Sequence, residues 1–215
     1  MKKITSIIFL TCIKLIPNNV IFLNGPSSVG KSAIAKELQK QLVEPYLHIG
    51  FDWFSQTMPA KMWNNSEGFS YQSKDEKGKK LTKIVAGKEA QKVKNSRAPV
   101  VKTLLECGHN LIIDEVVISK ESTEKYLNVL EPYNVIFVGL TAPEATLRLR
   151  EQQRGDRKSG IAVAQSKKIH KNMKYDLFID THDAKPTDSA KKIIRALDNH
   201  KNRALKKMIR LYEKK

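Results

Sequence analysis

A chain of 215 residues has room for one α/β domain of ordinary size plus a short appendage, and two full domains would be a squeeze. With 40% apolar residues, 10 glycines and 8 prolines, it is neither collagen-like nor of low complexity, and a packed core is expected rather than a disordered basic tail. The 39 basic residues exceed the 22 acidic ones by 17, a balance that favours anionic partners without choosing between nucleotide phosphates, nucleic acid and an acidic membrane surface. Two cysteines, Cys12 and Cys107, exclude a disulfide framework and a four-cysteine zinc site, so reduced thiols and a cytoplasmic location are expected.

Lys2 and Lys3 followed by the apolar stretch 4–13 have the order of a secretory signal. Lys14 interrupts the stretch and no small-residue cleavage site follows, so residues 1–18 read instead as an apolar extension, either an added strand or residues ahead of the true start. A bilayer span takes roughly 20 apolar residues, more than this run offers. Residues 20–23 form a short apolar run rich in β-formers, bounded by Asn24 and Gly25, which predicts a buried strand. A helix is predicted over 32–43, where Ile34, Leu38 and Leu42 recur four apart and Lys36, Glu37 and Lys40 face water. Further strands are predicted at 46–49, 111–113, 135–140 and 177–179. Five strands alternating with helical stretches predict a three-layer α/β/α fold with a five-stranded parallel sheet covered on both faces. Residues 53–97 mix aromatics, glycines and a lysine-rich stretch and read as an insertion outside the sheet. Helical signals return between Pro99 and Cys107, and Thr141 with Glu144 suggests a capping box. One last basic helix is predicted from about residue 187, with Ala190, Ile194, Leu197, Ala204, Met208 and Leu211 along one stripe. That stripe suits packing on its own domain or, alternatively, a second copy in a homo-oligomer.

Gly25, Pro26, Ser27, Ser28, Val29, Gly30, Lys31 and Ser32 match the phosphate-binding loop pattern, between a strand and a helix as the pattern requires. Gly25 and Gly30 let the backbone wrap a phosphate with successive N–H groups inward, Lys31 supplies a cation to the outer phosphates, and the Ser32 hydroxyl is a Mg²⁺ ligand. Asp114 ends an apolar strand where this class holds the metal or its water, and only one of Asp114 and Glu115 can face the nucleotide. Asp52, just past Gly50, is the candidate proton acceptor for an attacking hydroxyl. Arg154 and Arg157, separated by Gly155, are candidates for neutralising a phosphoryl group in transfer, whereas Arg148 and Arg150 read as the wet face of a helix. Trp53, Trp63, Phe69 and Tyr71 suit either an acceptor pocket or the core.

This constellation resembles the chloramphenicol phosphotransferase-like family of P-loop kinases. The resemblance rests on Leu23-Asn24-Gly25 with Ser27-Ser28 and Gly30-Lys31-Ser32, on Gly50 with Asp52, Met58-Pro59 with Lys61-Met62, and Ile112-Ile113-Asp114. It continues through Val138-Gly139, Arg154-Gly155-Asp156-Arg157, Gly160, Gln165, His170 and Tyr175-Asp176, covering about residues 20–182. It implies transfer of the ATP γ-phosphoryl group to a hydroxyl, a kinase domain over about 19–185, and a lid over about 150–162 that carries Arg154 and Arg157. Glu115 stands where a second Asp is usual, and the lysine-rich segment about 74–94 and the basic residues after about 190 are additions. The expected activity is therefore ATP- and Mg²⁺-dependent O-phosphorylation of a small molecule. The alternatives are a kinase for another alcohol, such as a nucleoside or metabolite, and a basic nucleotide switch that docks nucleic acid or an anionic surface.

Overall fold

The computed structural model describes residues 18–199 and 201–213, so the apolar extension expected at 1–18 lies almost wholly outside the described residues. All five predicted strands form: β1 (Asn19–Asn24), β2 (Tyr46–Gly50), β5 (Asn110–Glu115), β6 (Asn134–Thr141) and β7 (Leu177–Asp180). They pair in parallel in the order β2-β5-β1-β6-β7, which puts the first strand at the centre.

Side chains alternate between the two faces of a strand, and both faces here are dry. Ile21, Leu23, Ile112, Ile136 and Val138 pack on one side against α1 (Lys31–Gln41) and α7 (Pro186–Asn199). Val20, Phe22, Leu111, Ile113 and Phe137 pack on the other side against α3 (Lys88–Glu106), α4 (Lys120–Leu130) and α8 (Arg203–Glu213). The layered α/β/α architecture follows from this division.

Four expectations are corrected. The insertion contains strands of its own: after α2 (Phe51–Gln56), β3 (Phe69–Glu76) and β4 (Lys79–Ala86) form a separate antiparallel hairpin. Its two-residue turn, Lys77-Gly78, has positive φ at both positions, the mirror-image turn that matches strand twist. Helix α3 begins at Lys88, well before Pro99, and carries that proline internally. The capping box does not form, because the N-cap of α5 (Glu144–Arg154) is Pro143 and Glu144 instead pairs with Arg148.

The basic tail is likewise two helices, broken around Asn202, whose φ is +50°. Helix α7 buries Ala190 and Ile193 on one face of the sheet, and α8 buries Ala204, Leu205 and Met208 on the other. Of the predicted stripe, Ala190, Ile194, Leu197, Ala204 and Met208 thus pack on this chain's own core, whereas Leu211 is exposed. Asp176 ties the second helix down, accepting from the N–H groups of Phe137 and Ala204, both at 2.9 Å.

Candidate active site

The carboxyl ends of β2, β5 and β1 open into one cavity of about 1600 Å³, where the parallel-sheet rule places ligands. The loop from Gly25 to Gly30 lies along its floor. Gly30 adopts φ +98° to launch α1, and a Cβ on Gly25 would sit 2.8 Å from the Leu140 carbonyl oxygen, so a side chain is excluded there. Ser27, Ser28, Gly30, Lys31 and Ser32 line the cavity, whereas Val29 is fully buried beneath the loop. The first turn of α1 leaves its N–H groups without helical partners, which makes the floor a receptor for anions. Gln165, on α6 (Ile161–Ser166), braces the loop by accepting from the Ser27 N–H at 2.7 Å.

The Lys31 ammonium donates to the carbonyls of Gly25 and Pro26 at 3.0 and 2.9 Å and stands 3.8 Å from Asp114. Burial lowers its pKa, while the charges of Asp114 and Asp52 oppose that shift. Ser32 donates to the Asp114 carboxylate at 2.6 Å. Burial alone would raise the Asp114 pKa, yet Lys31, His48 and Ser32 together hold it below the ordinary value. His48, with Nε2 3.5 Å from that carboxylate, is a neighbour that the sequence reading missed; it sits two residues before Gly50 on the adjacent strand. Gly50 does permit a close approach: a Cβ there would fall 2.2 Å from the Asp114 carbonyl oxygen.

Glu115 turns to the opposite side of the strand. It is fully buried, paired with Arg97 of α3, and accepts from the Tyr126 hydroxyl at 2.7 Å. Burial and the adjacent Glu115 keep that phenol protonated far into the alkaline range. Arg97 also lies 5.5 Å over the Phe51 ring, which braces α2 beside the cavity. Asp52, on α2, meets Arg157 across the mouth at 2.5 Å. Arg154 lines the same cavity, more exposed, and pairs with Asp156 at 3.2 Å.

Arg150 is not a wet residue: it donates to the Thr181 hydroxyl and carbonyl at 3.1 and 2.7 Å and fixes the loop after β7. Arg148 bonds Glu144 and the Lys80 carbonyl. Among the aromatics, Trp53 and Phe69 line the cavity, Trp63 stacks on Phe69 with ring centroids 5.0 Å apart, and Tyr71 lies under the Lys158 ammonium. The family-pattern residues Asn24, His170 and Tyr175 form a structural knot, Asn24 and His170 both bonding the Tyr175 hydroxyl at 2.8 Å. Burial pushes that phenol up to about 12.

The β3–β4 hairpin lines the cavity and is tied to the segment between α5 and α6. Thr82 donates its hydroxyl to the Ser159 carbonyl at 2.6 Å and its N–H to the Gly160 carbonyl at 3.1 Å. Glu151, buried on α5, accepts from the N–H groups of Gly160 and Ala162 at 2.6 and 2.8 Å, fastening the start of α6.

The loop at 25–32 between a central strand and a helix, with an acid at the end of the adjacent strand, is the arrangement of a P-loop kinase fold, and comparison with known proteins makes the chain a phosphotransferase. It belongs to the chloramphenicol phosphotransferase-like protein family, whose model matches residues 18–198. A Mycobacterium tuberculosis protein named "Putative O-phosphotransferase" is 29% identical over 167 residues, covering 75% of this chain and 74% of its own. Among solved structures, the M. tuberculosis APS kinase in complex with AMPPNP and APS superposes with a TM-score of 0.60 at 15% identity, over 86% of this chain and 99% of that one. The Deinococcus radiodurans tunicamycin resistance protein superposes with a TM-score of 0.54 at 14% identity, over 83% and 94%. Those two likenesses concern the fold. Among the described residues, no helix is long and apolar enough to cross a membrane.

Proposed function

We propose that the protein transfers the γ-phosphoryl group of ATP to a hydroxyl of a small molecule, with Mg²⁺ as the metal. The observation that carries this reading is the position of the Asp52–Arg157 pair, which faces into the same cavity as Lys31, Ser32 and Asp114. A nucleotide switch needs no proton acceptor at that place.

In this reading the loop N–H groups and Lys31 hold the phosphates. Ser32 and Asp114 offer hard oxygen donors 2.6 Å apart, a set that suits Mg²⁺, and the ion would neutralise phosphate charge when bound. The acceptor oxygen forms the new bond to the γ-phosphorus, the bridging bond to the β-phosphate breaks, ADP leaves, and the hydroxyl proton passes to Asp52. Arg157 leaves Asp52 for the transferring phosphoryl group, which frees the carboxylate for that proton, while Arg154 adds positive charge from the lid.

The test is mass spectrometry of mixtures of antibiotics, chloramphenicol among them, nucleosides and alcohol metabolites incubated with the protein, ATP and Mg²⁺. A phosphorylated alcohol that is absent with Asp52→Asn is the expected result. ATP turnover with no phosphorylated acceptor, alongside polynucleotide binding that weakens steeply with salt, would refute the proposal.

A further inference from the structure

Lysines and arginines outnumber carboxylates along the cavity wall, and the carboxylates are Asp52, Glu76 and Asp114. Each of these is already matched: Asp52 with Arg157, Glu76 with Lys74 and Lys167, and Asp114 with Lys31. Arg97 is matched by buried Glu115. On the side of the cavity formed by α2, α3 and β4, this leaves the side chains of Lys94 and Lys83 without an ion pair among the described residues.

Lys94 sits one helical turn before Arg97 and is half-buried. Burial comes first among the influences that lower its pKa; the charges of Arg97, Lys125 and Lys83 add to it, and Glu121 alone opposes it. Glu121 is itself held by Lys125 at 2.6 Å. A cation withdrawn from water into a positive field, facing open space, lacks a counter-charge that the fold does not supply. Ser119 and Ser122, at the start of α4, also line the cavity.

We propose that Lys94, supported by Lys83, forms an oxyanion subsite, and that the alcohol phosphorylated here carries a phosphate, sulfate or carboxylate group. This rests on reading the cavity as an acceptor site. Helix α3 packs beside α2, so the subsite lies next to the element that carries Asp52. An acceptor anchored there by its charge would present a hydroxyl on the Asp52 side. A charge-assisted bond of this kind is worth roughly 10- to 100-fold in specificity.

The test compares kcat/KM for matched alcohols, each neutral compound beside its phosphate, sulfate or carboxylate derivative. In the parent protein the charged member should be favoured at least tenfold. Lys94→Met should reduce that preference at least tenfold and Lys94→Arg should retain most of it, with thermal melting used to verify that both variants are folded. A parent that treats both members alike, or a preference unchanged in Lys94→Met, would overturn the subsite. Failure of the acceptor reading looks different, because then no alcohol is phosphorylated whatever its charge. In that event, inorganic sulfate is titrated into protein saturated with AMPPNP while the fluorescence of Trp53 and Trp63 is followed. A saturable change that Lys94→Met abolishes supports the subsite, and its absence overturns it.

Discussion

Lys31 is held by the loop that precedes it, donating to two of that loop's carbonyls while burial disfavours its charge. Lys31→Ala should therefore abolish phosphoryl transfer yet leave the far-ultraviolet spectrum and melting cooperativity of the parent. Lys31→Arg should also fail, because a planar guanidinium cannot replace a point charge inside the cradle. Asp52→Asn should lower kcat by roughly a hundredfold or more with ATP affinity little changed; an ATP titration and turnover on the same variant decide it, and a fall in affinity with turnover intact would place Asp52 with the metal. Asp114 adds a pH signature. Its pKa is lowered in the fold, so its contribution to stability is present above its unfolded value and is lost as pH falls through the folded one. The stability gap between the parent and Asp114→Asn, read by urea unfolding, should be widest near neutral pH and close in acid. Lys31, Ser32 and Asp114 are legible in the sequence because a contiguous loop and a strand end position them. His48 and Arg97 are not, since each owes its place to pairing with a distant strand: His48 lies beside Ile112 in the ladder, and Arg97 meets Glu115 across the core.

Elements show the same divide. The five strands announce themselves by apolar runs that need no context, whereas the hairpin hides behind charge: β3 and β4 face outward over much of their length, and Lys stands where Asn or Asp would signal the turn. Pro99 reads as a helix start because proline favours the first turn, yet here tertiary packing of Ala98 and Val101 carries the helix through it. The segment between α5 and α6 also depends on bonds beyond its own residues. Glu151→Ala would leave the Gly160 and Ala162 N–H groups without their acceptor, a local loss of about 2–4 kcal/mol. Faster amide exchange confined to α6, together with a higher KM for ATP, is expected. Thr82→Val should instead loosen the hairpin from the lid and raise the acceptor KM more than that for ATP.

At the scale of the whole molecule, the two basic helices are structural covers, although their charge suggests an appended binding tail. Deleting α8 by a stop after residue 199 would expose the sites of Leu205 and Met208, each worth about 1.5–3 kcal/mol when buried. The expected cost is roughly 3–6 kcal/mol, or about 10–20 °C in Tm for a chain of this size, with phosphotransferase activity surviving at low temperature. A stop after residue 186 also removes α7, uncovers part of each face of the sheet and should give insoluble protein; a soluble, active product would show that the covers are dispensable. The strand order has a further outcome in time. Strand β1 leaves the ribosome ahead of the other described strands, yet it needs a partner on each edge, and Asn19 bonds to Asn110 and Asn134, 91 and 115 residues further along. Throughout that interval this strand, fully buried in the finished fold over Val20 to Leu23, lacks both of its neighbours, and such nonlocal pairing slows folding. Refolding yield should accordingly fall with protein concentration, and the nascent chain has reason to be met by a chaperone before its centre can close.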